Sequence, residues 1–246
     1  MIFTIAAKEL RALLYSPSGW VILALLQLLL AWLFLTGLNR FLALQPQLAT
    51  LEAAPGVTEL VVAPVFSAAA IILLMLTPLL TMRLIAEERR NQTLPFLLSA
   101  PVGISTIVLG KFLGIVAFML IVPLLLVFMA LALTWGGTLD WGLLAANALG
   151  LVLLAASFAA LGLFVSALVV RPALAAAATL AALLALWLIN LGARDPDSPL
   201  HLVSLFQHYD SFAKGVIDSL DVAYYFVFIL LFVALAILRL ERDRLG

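Results

Sequence analysis

The sequence predicts an all-α polytopic membrane protein with six transmembrane helices. Of its 246 residues, 66% are apolar and only 11% are charged, and the mean hydropathy is +1.25. A soluble domain is about 45–50% apolar and about 25% charged. Six apolar stretches are long enough to cross a hydrocarbon core of about 30 Å at roughly 1.5 Å per residue. No long polar segment separates them, so we expect a single membrane domain over residues 1–246.

An amphipathic helix is expected before the first span. Its charged residues, Lys8, Glu9 and Arg11, lie outside an apolar face that recurs at helical spacing. That face comprises Phe3, Ala6, Ala7, Leu10, Leu13 and Leu14. Such a helix lies in the headgroup layer with its cations toward anionic lipid. Residues 1–17 are therefore predicted to form an elbow helix that leads into the first span.

Boundaries of the six spans follow from the apolar runs. The spans are predicted at residues 20–38, 61–82, 112–133, 143–170, 173–191 and 222–238. The fourth is long and is expected to tilt or protrude. Only Arg171 and Pro172 separate it from the fifth, and a tight turn is favoured over one bent helix because proline disfavours helix in the preceding residue. Pro78 and Pro123 predict bends, which are either structural or gating hinges.

The orientation of the spans follows from the distribution of cations. Ten of the 13 lysines and arginines fall on the side of the membrane that holds both termini, and only Arg40, Arg194 and Lys214 fall on the other. The ten are Lys8, Arg11, Arg83, Arg89, Arg90, Lys111, Arg171, Arg239, Arg242 and Arg244. Short cytoplasmic loops carry the excess of cations. Both termini are therefore predicted to be cytoplasmic.

The interiors of the predicted spans contain no Asp, Glu, Lys, Arg or His. Ion-coupled carriers usually need an ionisable relay near the midplane, and channels need a polar filter, so both classes are disfavoured. The most polar members are Gln27, Asn147 and Asn190. For Gln27 and Asn147, hydrogen bonds between helices are favoured over contact with a polar substrate.

Small residues mark candidate packing faces between spans of the chain or between two copies of a dimer, and the sequence leaves both alternatives open. Gly110 and Gly114 form a GxxxG motif, and Ala155 and Ala159 repeat its spacing. A further stripe on the fifth span comprises Ala173, Ala177, Ala181 and Ala185.

Residues 192–221 predict one or two short amphipathic helices that dip into the outer leaflet before the last span, which Asp218 or Asp221 is expected to cap. A metal site or a hydrolase triad could be assembled there, but a hydrated rim is favoured because the polar helical face accounts for these residues. The residues concerned are His201, Ser204, His208, Asp210 and Ser211. The chain also has no GxxxxGK[ST] phosphate loop and no cysteine. We therefore expect no enzyme activity and no catalytic, metal or cofactor site in this chain.

A charged stretch interrupts the apolar chain between the second and third spans. The run EERRNQTLPFLLSAPVGISTIVLGKFLG, residues 87–114, resembles the cytoplasmic signature of ABC-2 type permeases. The KEL sequence at residues 8–10 and the six-span plan also resemble that family. The segment FQHYDSFAKGVIDSLDVAYY, residues 206–225, is similar to the gliding-motility-associated, GldF-like branch of these permeases.

The resemblance implies a permease subunit in the bacterial inner membrane that pairs with a second permease and with separate cytoplasmic ATPase subunits, which bind ATP and magnesium. Residues 83–104 would be the coupling segment that docks on the ATPase, with an apolar knob and charged rim. Its residues are Glu87, Glu88, Arg89, Arg90, Thr93, Leu94, Phe96, Leu97 and Leu98. The alternative for this segment is a charged loop that only anchors topology.

The implied function is export, or mechanical signalling, driven by ATP hydrolysis in the partner. Membrane lipid and an outer accessory protein are further expected partners, and nucleic acid is not. The alternative function is a non-transporting membrane scaffold or assembly factor, and an intramembrane enzyme is disfavoured by the missing catalytic residues.

Overall fold

A computed structural model describes residues 1–48, 55–95, 102–135, 138–192 and 204–245. Within these ranges every regular element is helical. The α-helices are α1 (Ile2–Tyr15), α2 (Pro17–Leu48), α3 (Ala63–Thr81), α4 (Ala86–Arg90), α5 (Ile104–Met119), α6 (Ile121–Leu131), α7 (Trp141–Leu168), α8 (Pro172–Gly192), α9 (Leu205–Ala213) and α10 (Ser219–Leu245). A π-helical turn at Thr58–Val62 precedes α3, and a 3₁₀ turn at Ala132–Trp135 follows α6.

The prediction of an all-α protein with six spans is confirmed. Six helical stretches are long and apolar enough to cross a membrane: Pro17–Gln47, Thr58–Arg90, Ile104–Trp135, Trp141–Leu168, Pro172–Asn190 and Ser219–Arg244. The first extends well past its predicted end at residue 38. Arg40 suggested a boundary there, but Leu38 and Phe41 continue the apolar face and pack against the core.

The fourth span, α7, forms the centre of the bundle. Of its most apolar window 78% is buried, against 22% for the first, fifth and sixth spans. Small residues along α7 let neighbouring backbones approach closely. Ala155 and Ala159 belong to this set and are 3% and 0% exposed, so they pack inside the chain. The alanine stripe of the fifth span is instead exposed.

Proline positions mark the breaks between helices. Val169 has an extended backbone, and α8 begins at Pro172, so the predicted tight turn between the fourth and fifth spans is confirmed. The third span is interrupted at Leu120 between α5 and α6. Pro123 has no N–H to donate to the carbonyl of Met119, which accounts for that interruption.

Two ends of the bundle are distinguished by their residues. The terminal end holds α1, α4 and the last turns of α7 and α10, and the distal end holds the π-helical turn, the first turn of α7 and α9. The interhelical hydrogen bonds expected of Asn147 and Gln27 are confirmed. Asn147 Nδ2 donates to the carbonyls of Phe212 and Ala213 in α9, and Gln27 Nε2 lies 3.0 Å from Met129 Sδ.

The predicted short amphipathic helix before the last span is α9, and its apolar face packs on other helices of the bundle. Leu205, Phe206, Tyr209 and Phe212 are all buried, because α9 packs on α7, α8 and α10. The hydroxyl of Tyr225 in α10 donates to the carbonyl of Leu205 over 2.7 Å and holds this packing. Residues 193–203 of the predicted outer segment lie outside the described part of the chain.

Two residues expected on a hydrated rim, Ser204 and His208, contact side chains of other helices. Ser204 is fully buried, accepts from the Gln207 N–H and contacts Asn190 Oδ1 at 3.1 Å. His208 Nδ1 lies 2.6 Å from Asp221 Oδ1, and its ring stacks on Tyr224. Asp221 is therefore engaged with α9, and Asp218 caps α10 by accepting from the Leu220 N–H.

Substituting Gly150 with Ala is expected to destabilise the distal packing. A Cβ at Gly150 would lie 2.5 Å from the Cβ of Phe212, so α7 and α9 would have to separate. Overpacking of this kind costs about 1–3 kcal/mol. The measurement is the thermal unfolding midpoint of the purified protein in detergent.

Gly56→Ala is the matched control, because a Cβ at Gly56 meets no atom within 4 Å. An equal shift of the midpoint in both variants would contradict the close α7–α9 contact.

Candidate functional site

The charged stretch between the second and third spans is the candidate site. We call residues 83–95 the charged linker. The backbone turns at residues 82–85 after α3, and α4 follows as a helix of five residues. Side chains from other helices hold both the turn and α4 in place.

Ser166 of α7 fixes the turn that begins the linker. Its hydroxyl, fully buried, accepts from the backbone N–H groups of Ile85 and Ala86, both at 3.1 Å, and donates to the carbonyl of Met82. These backbone groups fall where the helical pattern ends and would otherwise lack partners. Gly162 lies one turn earlier on α7, where a Cβ would come within 2.3 Å of Thr81 Oγ1. The second span therefore bends onto α7 at a close and hydrogen-bonded contact.

The other end of α4 closes in a Schellman motif. The N–H of Thr93 donates to the carbonyl of Glu88, and the N–H of Gln92 donates to the carbonyl of Arg89. This motif places Gln92 at φ +57°, in the left-handed region that normally takes glycine. Among the described residues Gln92 is the only non-glycine with positive φ. The linker thus has a defined conformation at both ends of α4.

Lys111 of α5 is buried at the centre of the site. It is 3% exposed, and its Nζ lies 2.9 Å from Glu9 Oε1 of α1 and 2.8 Å from Glu88 Oε1 of α4. The sequence prediction placed Lys111 in a loop before the third span, but it lies inside α5. Burial of an ammonium is strongly unfavourable unless it is paired, and here two carboxylates pair with it.

Arg89 connects the linker to the opposite side of the bundle. Its guanidinium donates to the carbonyl of Ala167 in α7 at 2.8 Å and pairs with Asp243 in α10. Asp243 also pairs with Arg239 at 3.3 Å on the same helix. Adjacent residues of α4 therefore bind different helices, Glu88 toward α5 and α1, and Arg89 toward α7 and α10.

Gly110 and Gly114 form the surface on which α1 packs. A Cβ at Gly110 would lie 2.7 Å from the Cβ of Ile5, and a Cβ at Gly114 would lie 2.7 Å from the Cβ of Glu9. The open alternatives for this GxxxG motif thus resolve to a contact within the chain.

Part of the predicted apolar face of α1, at Phe3 and Ala7, is not covered by the rest of the described chain. Phe3 is 82% exposed and Ala7 is also exposed, because Ile5 and Glu9 face α5 instead. The roll of α1 is set by the two glycines and by the reach of Glu9 to Lys111, and neither constraint follows from apolar periodicity alone.

The predicted site residues divide into inward and outward sets. Glu88, Arg89 and Leu94 face other helices, and Leu94 is 6% exposed. Glu87, Arg90 and Thr93 are partly or fully exposed, as are Lys8 and Arg11 of α1. Phe96, Leu97 and Leu98 lie outside the described residues.

Three residues of the site were missed in the sequence: Lys111, Ser166 and Asp243. A signal existed for Lys111, since a lysine between Gly110 and Gly114 in an apolar run requires a carboxylate partner. Nothing in the sequence marks Ser166.

The chain matches one protein family over almost its whole length. The family model described as ABC-2 family transporter protein covers residues 3–245. The chain belongs to the ABC-2 transporter family. Together with the six spans, this membership makes it a multi-pass transmembrane permease subunit. No curated protein matches the sequence.

A polar cavity of this ABC-2 permease lies at the distal end. It has a volume of about 590 Å³, and its charged lining residues are Glu59, Asp140, Asp210 and Lys214. Partial burial raises the pKa of the Asp210 carboxyl above its ordinary value, and the Lys214 ammonium partly opposes this. Asp140 also caps α7, accepting from the Leu143 N–H. Among the described residues no three His, Cys, Asp or Glu side chains are grouped to hold a metal ion.

Substituting Ser166 with Ala is expected to loosen the turn of the permease linker. The N–H groups of Ile85 and Ala86 would lose their acceptor, and leaving a buried donor unsatisfied costs about 1–3 kcal/mol. Hydrogen exchange at these two amides should therefore accelerate.

Ser157→Ala is the control, since Ser157 is equally buried but bonds only to the carbonyl of Leu153 in its own helix. Unchanged exchange at residues 85 and 86 in the Ser166 variant would show that this hydroxyl does not hold the turn.

Gln92 offers a test of the linker conformation. Gln92→Gly is expected to keep the Schellman motif and to relieve about 1 kcal/mol of left-handed strain, whereas Gln92→Val is expected to open it because a β-branched residue is disfavoured there. The measurement is hydrogen exchange at the Thr93 amide, and equal exchange in both variants would contradict the assigned backbone.

Proposed function

We propose that the chain is the membrane subunit of an ATP-driven ABC-2 transporter, whose charged linker docks on a separate cytoplasmic ATPase. The observation that carries this proposal is the anchoring of the linker. Side-chain bonds of Lys111, Ser166 and Asp243 connect the five-residue helix α4 to the third span and to the ends of the fourth and sixth. A segment that only anchored topology would need no such connections.

The terminal end of the bundle would then face the cytoplasm of a bacterial inner membrane. The excess of cations on that side supports this orientation, since ten of the 13 lysines and arginines are counted there. It also leaves the exposed part of the linker accessible to a soluble partner.

The docking surface would consist of the outward residues of the linker and the apolar run that follows it. Arg90 and Glu87 have side chains 55% and 38% exposed, and their mutual contact of 3.7 Å is a weak surface pair. Such charges are suited to steering and register at the rim of an interface. Leu94 is turned inward, so the apolar contact is assigned to Phe96, Leu97 and Leu98.

The partners follow from this assignment. The ATPase subunits would bind ATP and magnesium, and this chain would supply no cofactor site. A second permease, either identical or different, would complete the membrane part, and an accessory protein would contact the distal end. The GldF-like branch is proposed on the segment at residues 206–225, and both export and mechanical signalling fit that branch.

Leu97→Asp or Phe96→Asp is expected to abolish association with the ATPase, because a buried unpaired carboxylate is strongly unfavourable in an interface core. Arg90→Glu is expected to weaken association with the ATPase without abolishing it. The association that remains is expected to depend less on salt concentration. The measurement is recovery of the ATPase with the purified, tagged permease.

Ile217→Asp is the matched control, an apolar residue 54% exposed at the distal end and outside the spanning helices. Normal ATPase recovery with Leu97→Asp and Phe96→Asp would refute docking through the linker. ATP-dependent substrate flux in sealed vesicles separates transport from a scaffold, which would bind the ATPase and move nothing.

A further inference from the structure

Lys111 joins two elements that are separated by a cavity. The Glu9 carboxylate of α1 and the Glu88 carboxylate of α4 both bind its Nζ, at 2.9 and 2.8 Å. Beside this bridge lies a cavity of about 510 Å³, whose wall is formed by residues of both α1 and the charged linker. The side-chain bridge through Lys111 therefore crosses a gap between α1 and the linker.

The two carboxylates exceed what the charge of Lys111 requires. One carboxylate neutralises a buried ammonium, and the second leaves the group with a net negative charge. A negative charge that is largely removed from water is unfavourable, so the second carboxylate is not explained by compensation alone. What it adds is a connection to a third helix.

We propose that Lys111 is a positioning residue that makes α1 and the charged linker move as one unit. This inference rests on the proposed function, in which an ATPase drives the linker. It assigns to α1 a role in transmitting that movement, in addition to its predicted place on the membrane surface.

On the linker side, the position of the Glu88 side chain depends on Lys111. Glu88 Oε2 is buried and has no hydrogen-bond partner in the described part of the chain, so Lys111 holds this carboxylate alone. Loss of Lys111 would leave Glu88 without a donor and release the linker from α5 and α1 together.

The bonds on the other side connect α1 to the first span. The indole Nε1–H of Trp20 donates to the carbonyl of Leu14 and fastens the turn between α1 and α2. A displacement of the linker would therefore reach the first span through α1 and the third span directly through Lys111. The same displacement would reach the fourth and sixth spans through the contacts of Arg89 with Ala167 and Asp243.

The test measures the distance between α1 and the linker. The chain has no cysteine, so Ala7→Cys and Asn91→Cys introduce two unique labelling positions, and both residues are exposed. Labelled permease is diluted with unlabelled permease, so that pulsed EPR reports distances within one chain. We expect one narrow distance in the free permease, unchanged when the ATPase is bound with and without ATP.

Lys111→Met removes the charge and keeps the length of the side chain. The distance distribution is expected to broaden in the free permease and to become nucleotide-dependent in the complex. Arg90→Met is the matched control, because Arg90 is exposed and makes only a weak pair with Glu87. It is expected to leave the distribution narrow.

Glu9→Gln tests the same connection between α1 and the linker. In this variant the charge of Lys111 is still neutralised, because Glu88 still pairs with it. Glu9→Gln is expected to broaden the distribution even if Lys111→Met does not fold. Narrow distributions in Glu9→Gln, or a nucleotide-dependent distance in the native complex, would overturn the role of Lys111.

The outcomes separate this inference from the proposed function. Failure of the native permease to retain any ATPase would refute the proposed function itself. Retention of the ATPase with unchanged distances in the Lys111 and Glu9 variants would refute only the proposed coupling of α1 to the linker through Lys111.

Discussion

A lysine buried inside the third span, in α5, sets the arrangement of the terminal end. Lys111 cannot be both charged and unpaired in that position, and its two carboxylate partners, Glu9 and Glu88, reach it from α1 and α4. Gly110 and Gly114 permit the approach of α1 by leaving no side chain in its way. The roll of α1, the position of the linker and the close packing on α5 therefore depend on one electrostatic constraint.

The fourth span, α7, contacts the linker at the terminal end of the bundle and α9 at the distal end. Ser166 holds the turn of the linker, and Asn147 holds the carbonyl end of α9. The two residues are 19 positions apart on one unbroken helix, which corresponds to about 28 Å and thus to nearly the full hydrocarbon thickness. Between them α7 is apolar and rich in small residues that pack closely. If a partner displaced α7 at the linker, this continuous buried helix would carry the displacement toward α9 at the distal end.

The sequence was sufficient for the spans and insufficient for the polar contacts. Spans follow from hydropathy because the backbone must satisfy itself in a membrane, and the helices therefore coincide with the apolar runs. Glu9 and Lys111 are 102 residues apart, so their contact depends on how α1 packs and not on any local pattern. Similarly, amphipathicity identified α9 as a surface helix but could not distinguish lipid from α7, α8 and α10 as the cover of its apolar face. The left-handed conformation of Gln92 was not predictable from the sequence, because glycine usually occupies that position of a helix end.

The short helix α4 distributes its contacts because consecutive residues of a helix point about 100° apart. Glu88 and Arg89 can therefore bind helices on different sides of the bundle while Glu87 and Arg90 remain outside. The inward pairs are largely buried, whereas the outward pair is exposed and contributes at most about 1 kcal/mol. A partner that binds the linker can rearrange the outward charges at little cost, but it cannot detach the inward ones without leaving buried charges unpaired. Binding energy applied to this surface would then displace the anchored helices as a group, since the bonds that connect them are stronger than those that face the partner.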